Sequence, residues 1–200
     1  MQFIKKLKKR DDKKMLIEIR WHGRGGQGVV TVSRLLAEAA ALEGKHVQAF
    51  PEFGPERSGA PVTGYTRISD EPIEIHSAIY DPEIVVVIDP TLIKTVNIVE
   101  GIEKNGYVIL NFPSLDKNLR KELNLTKKNK IFVVDGNKIA REILGQPIAN
   151  TAMLGALIKA YPLIKFESLE KILKERFKGE IGERNVLVAK KAYEEVKEIE

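Results

Sequence analysis

Leu16–Gly44 reads "LIEIRWHGRGGQGVVTVSRLLAEAAALEG" and changes texture twice. "LIEIRW" (Leu16–Trp21) alternates apolar and charged side chains, the period of a strand. "HGRGGQG" (His22–Gly28) then sets four glycines, Gly23, Gly25, Gly26 and Gly28, around Arg24 and Gln27. After it, Val29, Val32, Leu35, Leu36, Ala39 and Ala40 recur at helical spacing. Gly44 stands where a helix C-terminus favours glycine. Strand, glycine loop and helix in that order are the opening unit of an α/β layer.

The rest of the chain extends that layer. "HVQAF" (46–50) reads as a second short strand, and the three prolines and two glycines of "FPEFGPERSGAP" (50–61) break it into a long shaped loop. "VTGYTRI" (62–68) and "PIEIHS" (72–77) alternate enough to pair as a half-exposed hairpin across "SDEP". "EIVVVIDP" (83–90) carries five consecutive apolar residues, the texture of a central strand covered on both faces. "YVILNF" and "KIFVVDG" repeat it. Helical patterns are expected over 92–104 and 137–144. From Asn150 onward strands are expected to stop, with "NTAMLGALIKAY", "ESLEKILKERF" and "NVLVAKKAYEEVKEIE" forming a helical cover. The expected fold is α/β: a doubly wound, mostly parallel sheet with a β-hairpin insertion and a helical C-terminal cover.

Composition excludes several classes of function. The chain has 200 residues and no cysteine, which rules out disulfides and thiolate-bound zinc and leaves no usual ligands for an iron–sulfur cluster. The net charge of +5 is concentrated in residues 1–14, "MQFIKKLKKRDDKK", with seven of the 33 basic residues and two of the 28 acidic ones. Residues 15–200 are therefore neutral, which argues against a nucleic-acid-binding surface. This gives a basic arm (1–14) followed by one domain (15–200). Neither a membrane span nor a signal peptide is expected, because Glu18 and Arg20 interrupt the first apolar run, and the chain reads as cytoplasmic.

Gly23, Gly25 and Gly28 fit G-x-G-x-x-G between a strand and a helix, where glycines let a phosphate approach backbone N–H groups at a helix N-terminus. Arg24 can add a charged fork. A nicotinamide site also needs an acid at the end of the second strand, and "HVQAF" ends in Ala49 and Phe50. A phosphate-binding Walker loop fails because Val29 and Val30 follow Gly28. The residues alone leave three readings open: a tight packing turn, a phosphate-type ligand site, or a subunit contact. Asp89 before Pro90, and Asp135 before Gly136, read as helix caps. His22, His46 and His76 lack metal spacing. No nucleophile or catalytic set is marked, so no catalytic residue and no metal site is assigned. Phe50, Phe53, Glu56 and Arg57 give the proline-rich loop the rigid, aromatic and charged character of a docking surface. Ala152, Gly155, Ala156 and Ala160 form a smooth helix face that suits close packing, internal or external.

The pair H-G-R-G-G-Q-G (22–28) and F-P-E-F-G-x-E-R-x-G-A-P (50–61), with "VVVIDPTLI" and "NTAMLGAL", resembles the gamma subunit of the 2-oxoacid:ferredoxin oxidoreductases, most closely those acting on pyruvate. The resemblance runs from about Met15 to the C-terminus. It implies a Rossmann-like subunit working with alpha, beta and delta subunits and with ferredoxin as acceptor. Thiamine diphosphate, magnesium and iron–sulfur clusters are then held by partner chains. Coenzyme A is expected near the loop Gly23, Arg24, Gly25, Gly26, Gln27 and Gly28, or that loop meets a neighbouring subunit. Ser58 stands where relatives often carry arginine or threonine, and the basic arm lies outside the shared pattern.

Overall fold

A computed structural model of the chain describes residues 15–52, 58–116 and 118–199. The expected arm, 1–14, lies outside them. Seven strands form one mixed sheet in the order β2-β3-β1-β4-β5-β6-β7. They are β1 (Leu16–Arg24), β2 (His46–Pro51), β3 (Pro61–Ser69), β4 (Ile84–Val87), β5 (Tyr107–Asn111), β6 (Lys130–Val134) and β7 (Lys197–Ile199). β1, β4, β5 and β6 run parallel. β2 and β3 form an antiparallel hairpin on one side, and β7 closes the other edge antiparallel to β6. β4 is the middle strand and all four of its residues are buried, as expected from a continuous apolar run.

The sheet separates two cores. Ile17, Ile19 and Trp21 of β1, with Ile84, Val86, Ile109 and Val134, face the larger one. It is built with α1 (Val29–Leu42), α3 (Gly136–Leu144), α4 (Asn150–Ala160), α5 (Phe166–Arg176) and α6 (Glu180–Glu195). The intervening residues Val85, Val87, Val108, Leu110, Ile131 and Val133 face the other. There the cover is a 3-10 turn (Pro90–Lys94), the following loop and the one-turn helix α2 (Leu119–Glu122). Gly155 explains the smooth face of α4: a side chain there would strike the Ala189 backbone of α6, and Ala152 and Ala156 are fully buried. The stripe packs internally.

The structure corrects several sequence expectations. β3 pairs with β2 and β1, not with 72–77, and is buried from Gly64 onward. Residues 72–77 form no strand; the Ile75 and Ser77 carbonyls turn inward to Arg67 and the Ile73 carbonyl accepts from Gln48 Nε2. The Arg67 guanidinium donates to Ser77 O at 2.8 Å, Ile75 O at 3.3 Å and Gln48 Oε1 at 3.1 Å. It also bonds Glu18 Oε1 at 2.9 Å, with 1% and 6% of the two side chains exposed. The charged side of β1 is therefore interior. Its next member, Arg20, donates to the Ile98 and Glu100 carbonyls. The helix expected over 92–104 shrinks to the 3-10 turn, which ends at Lys94, and Gly101 with φ of 70° is itself outside helical geometry. Strands do not stop at Asn150, since Ile199 of β7 completes the smaller core.

Candidate functional site

From β1 the chain leaves through α1 toward β2 on one side, whereas from β4 it leaves through the 3-10 turn toward β5 on the other. The carboxyl ends of β1 and β4 thus flank a topological switch point, the crevice where open α/β sheets bind ligands. The glycine loop closes one wall of it. Gly26 and Gly28 take φ of 92° and 78°, a left-handed geometry that glycine adopts without penalty. Gly23 permits close packing, since a Cβ there would come within 2.5 Å of Val29 Cγ2. Gly28 caps α1 and lies under Asn150 of α4, whose amide nitrogen a Cβ would strike.

Gln27 and Arg24 tie the loop to both neighbours. Gln27 Oε1 accepts from Arg24 N at 2.8 Å, and its Nε2 donates to Asp89 Oδ2 at 2.6 Å. Arg24 Nη2 donates to Thr91 Oγ1 at 2.8 Å, Nη1 donates to Gly59 O at 3.0 Å, and Nε stands 3.4 Å from Asp89 Oδ2. Gly25 and the 59–60 segment exchange backbone bonds, Gly25 N to Ala60 O at 2.9 Å and Gly59 N to Gly25 O at 3.2 Å. The end of the proline-rich loop and the glycine loop are one unit.

Asp89 is its anchor. Besides Gln27, it accepts from Thr91 N at 2.9 Å and Thr91 Oγ1 at 2.6 Å. Burial pushes the Asp89 carboxyl up, but the bonds from Thr91 and Gln27 and the charge of Arg24 outweigh it and hold it below its ordinary value. The carboxylate is fixed as an anion, and it orients a guanidinium whose side chain is still 30% exposed. Further along the same sheet edge, Asn111 donates to Ile88 O at 2.8 Å and accepts from Gly136 N at 3.0 Å, joining β4, β5 and α3. Asp135 caps α3 through Lys138 N at 2.9 Å, as expected.

All six residues expected in the loop, Gly23 through Gly28, are therefore brought together. Sequence reading assigned Asp89 only its capping role and missed its hold on Arg24 and Gln27. It also missed Thr91, Gly59, Asn111 and Asn150. The Asp-Pro-Thr run after a buried strand was the available signal; which loop it faces depends on strand order. Of the docking residues, Phe50 packs within the fold, its ring tilted at 41° to Tyr65 with centroids 5.2 Å apart and the Arg67 guanidinium 5.5 Å over its face. Phe53, Glu56 and Arg57 lie outside the described residues.

Two buried groups beside the site are shifted. Burial first, then the charge of Arg20, pushes His22 down to about 3, so it is a neutral acceptor for Arg20 Nε at 3.2 Å. Burial, with Glu52 adding to it, raises Tyr65 to about 12. Among the described residues no group of three His, Cys, Asp or Glu side chains is arranged to hold a metal. None of their helices is long and apolar enough to cross a membrane.

A Rossmann-like sheet with a glycine loop at its switch point defines the class, an α/β subunit with a candidate crevice at the carboxyl ends of β1 and β4. Residues 18–195 match the pyruvate ferredoxin/flavodoxin oxidoreductase family. The chain belongs to that family, as the gamma subunit of a 2-oxoacid:ferredoxin oxidoreductase. It is 51% identical over 185 residues to the pyruvate/ketoisovalerate oxidoreductases common subunit gamma of Pyrococcus furiosus, covering 92% of this chain and 100% of the relative. It is 47% identical over 183 residues to pyruvate synthase subunit PorC of Methanothermobacter marburgensis, covering 91% and 98%. The crystal structure of pyruvate oxidoreductase subunit PORC from Thermotoga maritima superposes with a TM-score of 0.83 at 41% identity, over 92% of this chain and 99% of that one.

Proposed function

We propose that this chain is the gamma subunit of a pyruvate synthase, a cytoplasmic complex with alpha, beta and delta subunits that passes electrons to ferredoxin. In this reading thiamine diphosphate, magnesium and iron–sulfur clusters are held by the partner chains and supply decarboxylation and electron transfer. This chain contributes no catalytic side chain. Its loop Gly23–Gly28 contacts the diphosphate of coenzyme A, which receives the acetyl group. The backbone amides at the start of α1 and the exposed edge of Arg24 offer positive charge, while Asp89, Thr91 and Gly59 keep the guanidinium from swinging away. Phe50, Phe53, Glu56 and Arg57 meet a partner subunit, and residues 15–200 act as one domain.

The observation that carries the ligand reading is the pinned, still exposed Arg24 at the switch-point crevice. The names of the Methanothermobacter and Thermotoga relatives support pyruvate. The name of the Pyrococcus relative has one gamma subunit common to pyruvate and ketoisovalerate oxidoreductases, which supports a role independent of the 2-oxoacid side chain. Reassembled with its partners, the complex should reduce ferredoxin faster with pyruvate than with 2-oxoisovalerate or 2-oxoglutarate at saturating coenzyme A. A faster rate with either competitor overturns the substrate, and full activity without this chain overturns its role.

A further inference from the structure

Leu16 begins β1 at the amino edge of the sheet, paired with Ser69 of β3. The bond from Asp70 N to Met15 O at 3.1 Å carries that pairing one residue further. Beside this end lies a cleft of about 350 Å³. Its apolar lining comes from Leu16, Pro72, Ile73 and Ile75, and Ile75 is 39% exposed. Its charged lining is acidic, with Glu71 and Glu74 both exposed and no lysine or arginine beside them in the cleft. Asp70 next to them is engaged by Lys45 at 2.7 Å.

An apolar cleft with anionic walls fits a segment that is apolar on one side and cationic on the other. The chain that leads into Met15 has that composition. Residues 1–14 carry seven basic and two acidic side chains, whereas the remainder of the chain is neutral. Between the lysines, Phe3, Ile4 and Leu7 stand at i, i+1 and i+4, the spacing of one helix face. The family match covers residues 18–195, so it assigns this arm no role.

We propose that residues 1–14 turn back from Met15 and seat in this cleft of their own chain. Lys13 and Lys14 meet Glu71 and Glu74, and Phe3, Ile4 and Leu7 cover Ile73 and Ile75. Continuing the β1–β3 register by one step beyond Met15 and Asp70 sets Lys14 opposite Glu71, a cross-strand pair of opposite charge. The eight residues from Leu7 to Lys14 can span up to about 26 Å, enough to reach across the cleft. Because the arm is tethered at the cleft, its effective concentration there is on the order of millimolar, which favours its own chain over a second copy at micromolar concentration. The seated arm covers the segment whose carbonyls hold Arg67 and Gln48. This surface lies at the opposite edge of the sheet from the glycine loop and does not depend on the ligand read there.

The test is paramagnetic relaxation measured by nuclear magnetic resonance on the full chain, whose lack of cysteine lets a nitroxide be placed at Gln2→Cys alone. The label should remove more than half of the intensity of the Ile73 and Ile75 methyl signals and leave that of Ile181, at the start of α6, unchanged. Glu71→Lys combined with Glu74→Lys, both at exposed positions, should restore most of the lost intensity. Adding Lys13→Glu and Lys14→Glu to that pair should bring the loss back, which damage to the fold would not do. No loss at Ile73 and Ile75 in the chain with native charges overturns the proposal, as does a loss that persists when Glu71 and Glu74 are reversed. Loss seen only in mixtures, from a labelled chain to an isotope-enriched unlabelled one, places the arm on a second copy and overturns the seat in its own chain.

Discussion

Gly28 and Gly26 share a left-handed backbone but differ in what surrounds them, which separates two costs of adding a methyl group. A Cβ at Gly26 would meet nothing within 4 Å, whereas one at Gly28 would strike Asn150 Nδ2. Gly26→Ala should therefore lose only the left-handed penalty, about 1–2 kcal/mol. Gly28→Ala should lose that plus an overpacking cost of about 1–3 kcal/mol. For a chain of this size each kcal/mol lowers the melting point by about 2–4 °C, so drops of about 5 °C and about 10 °C are expected. Thermal unfolding by circular dichroism measures both. Asn150→Ala removes the obstructing nitrogen, so in that background Gly28→Ala should cost no more than Gly26→Ala. Equal losses for the two single variants, or no relief in the Asn150→Ala background, would refute the account of how α4 packs on the loop.

Other outcomes follow from the buried polar side of β1 and from the docking loop. Arg67→Met leaves Glu18 buried without its cation and frees the 75–77 carbonyls. It should cost about 3–5 kcal/mol, with faster hydrogen exchange over 72–78, and unchanged exchange there would contradict the anchoring role. His22, held down to about 3, stays neutral in the folded chain while the unfolded chain protonates it near its ordinary 6.5. A depressed histidine thus favours unfolding as pH falls from about 6.5 to about 3, by up to about 1.4 kcal/mol per pH unit. His22→Gln should flatten that part of the stability curve, measured by urea unfolding across pH; an identical slope would count against it. Arg57→Ala should weaken assembly by about 2 kcal/mol, read as lost co-purification of partner subunits, with a melting point within about 2 °C of the unaltered chain.

The unit Leu16–Gly44 was legible because strand period, glycine loop and helix period each reflect local geometry. β4, β5 and β6 were legible because burial on both faces writes a continuous apolar run. The partner of β3 was not. Both 46–50 and 72–77 alternate, and the short "SDEP" turn favours the nearer pairing. The farther pairing occurs, and Arg67 takes the Ile75 and Ser77 carbonyls for itself. In 92–104 the periodic spacing of Leu92 and Ile98 reflects two anchors in the smaller core, not a helix. At the site, the six loop residues could be named because they are contiguous. Asp89, Thr91, Gly59 and Asn150 could not, because only strand order and the α4 packing bring residues so far apart in sequence to one crevice.

The central claim, that the glycine loop serves coenzyme A in an oxidoreductase whose chemistry lies on other chains, is tested most directly by kinetics of the reassembled complex carrying Arg24→Ala. Coenzyme A is varied at saturating pyruvate, and pyruvate is then varied at saturating coenzyme A. Loss of one charge-assisted contact, about 1.5–3 kcal/mol, predicts that KM for coenzyme A rises at least tenfold relative to KM for pyruvate. If KM for coenzyme A is unchanged in a complex that still assembles, the loop is a packing turn or subunit contact and the claim is contradicted.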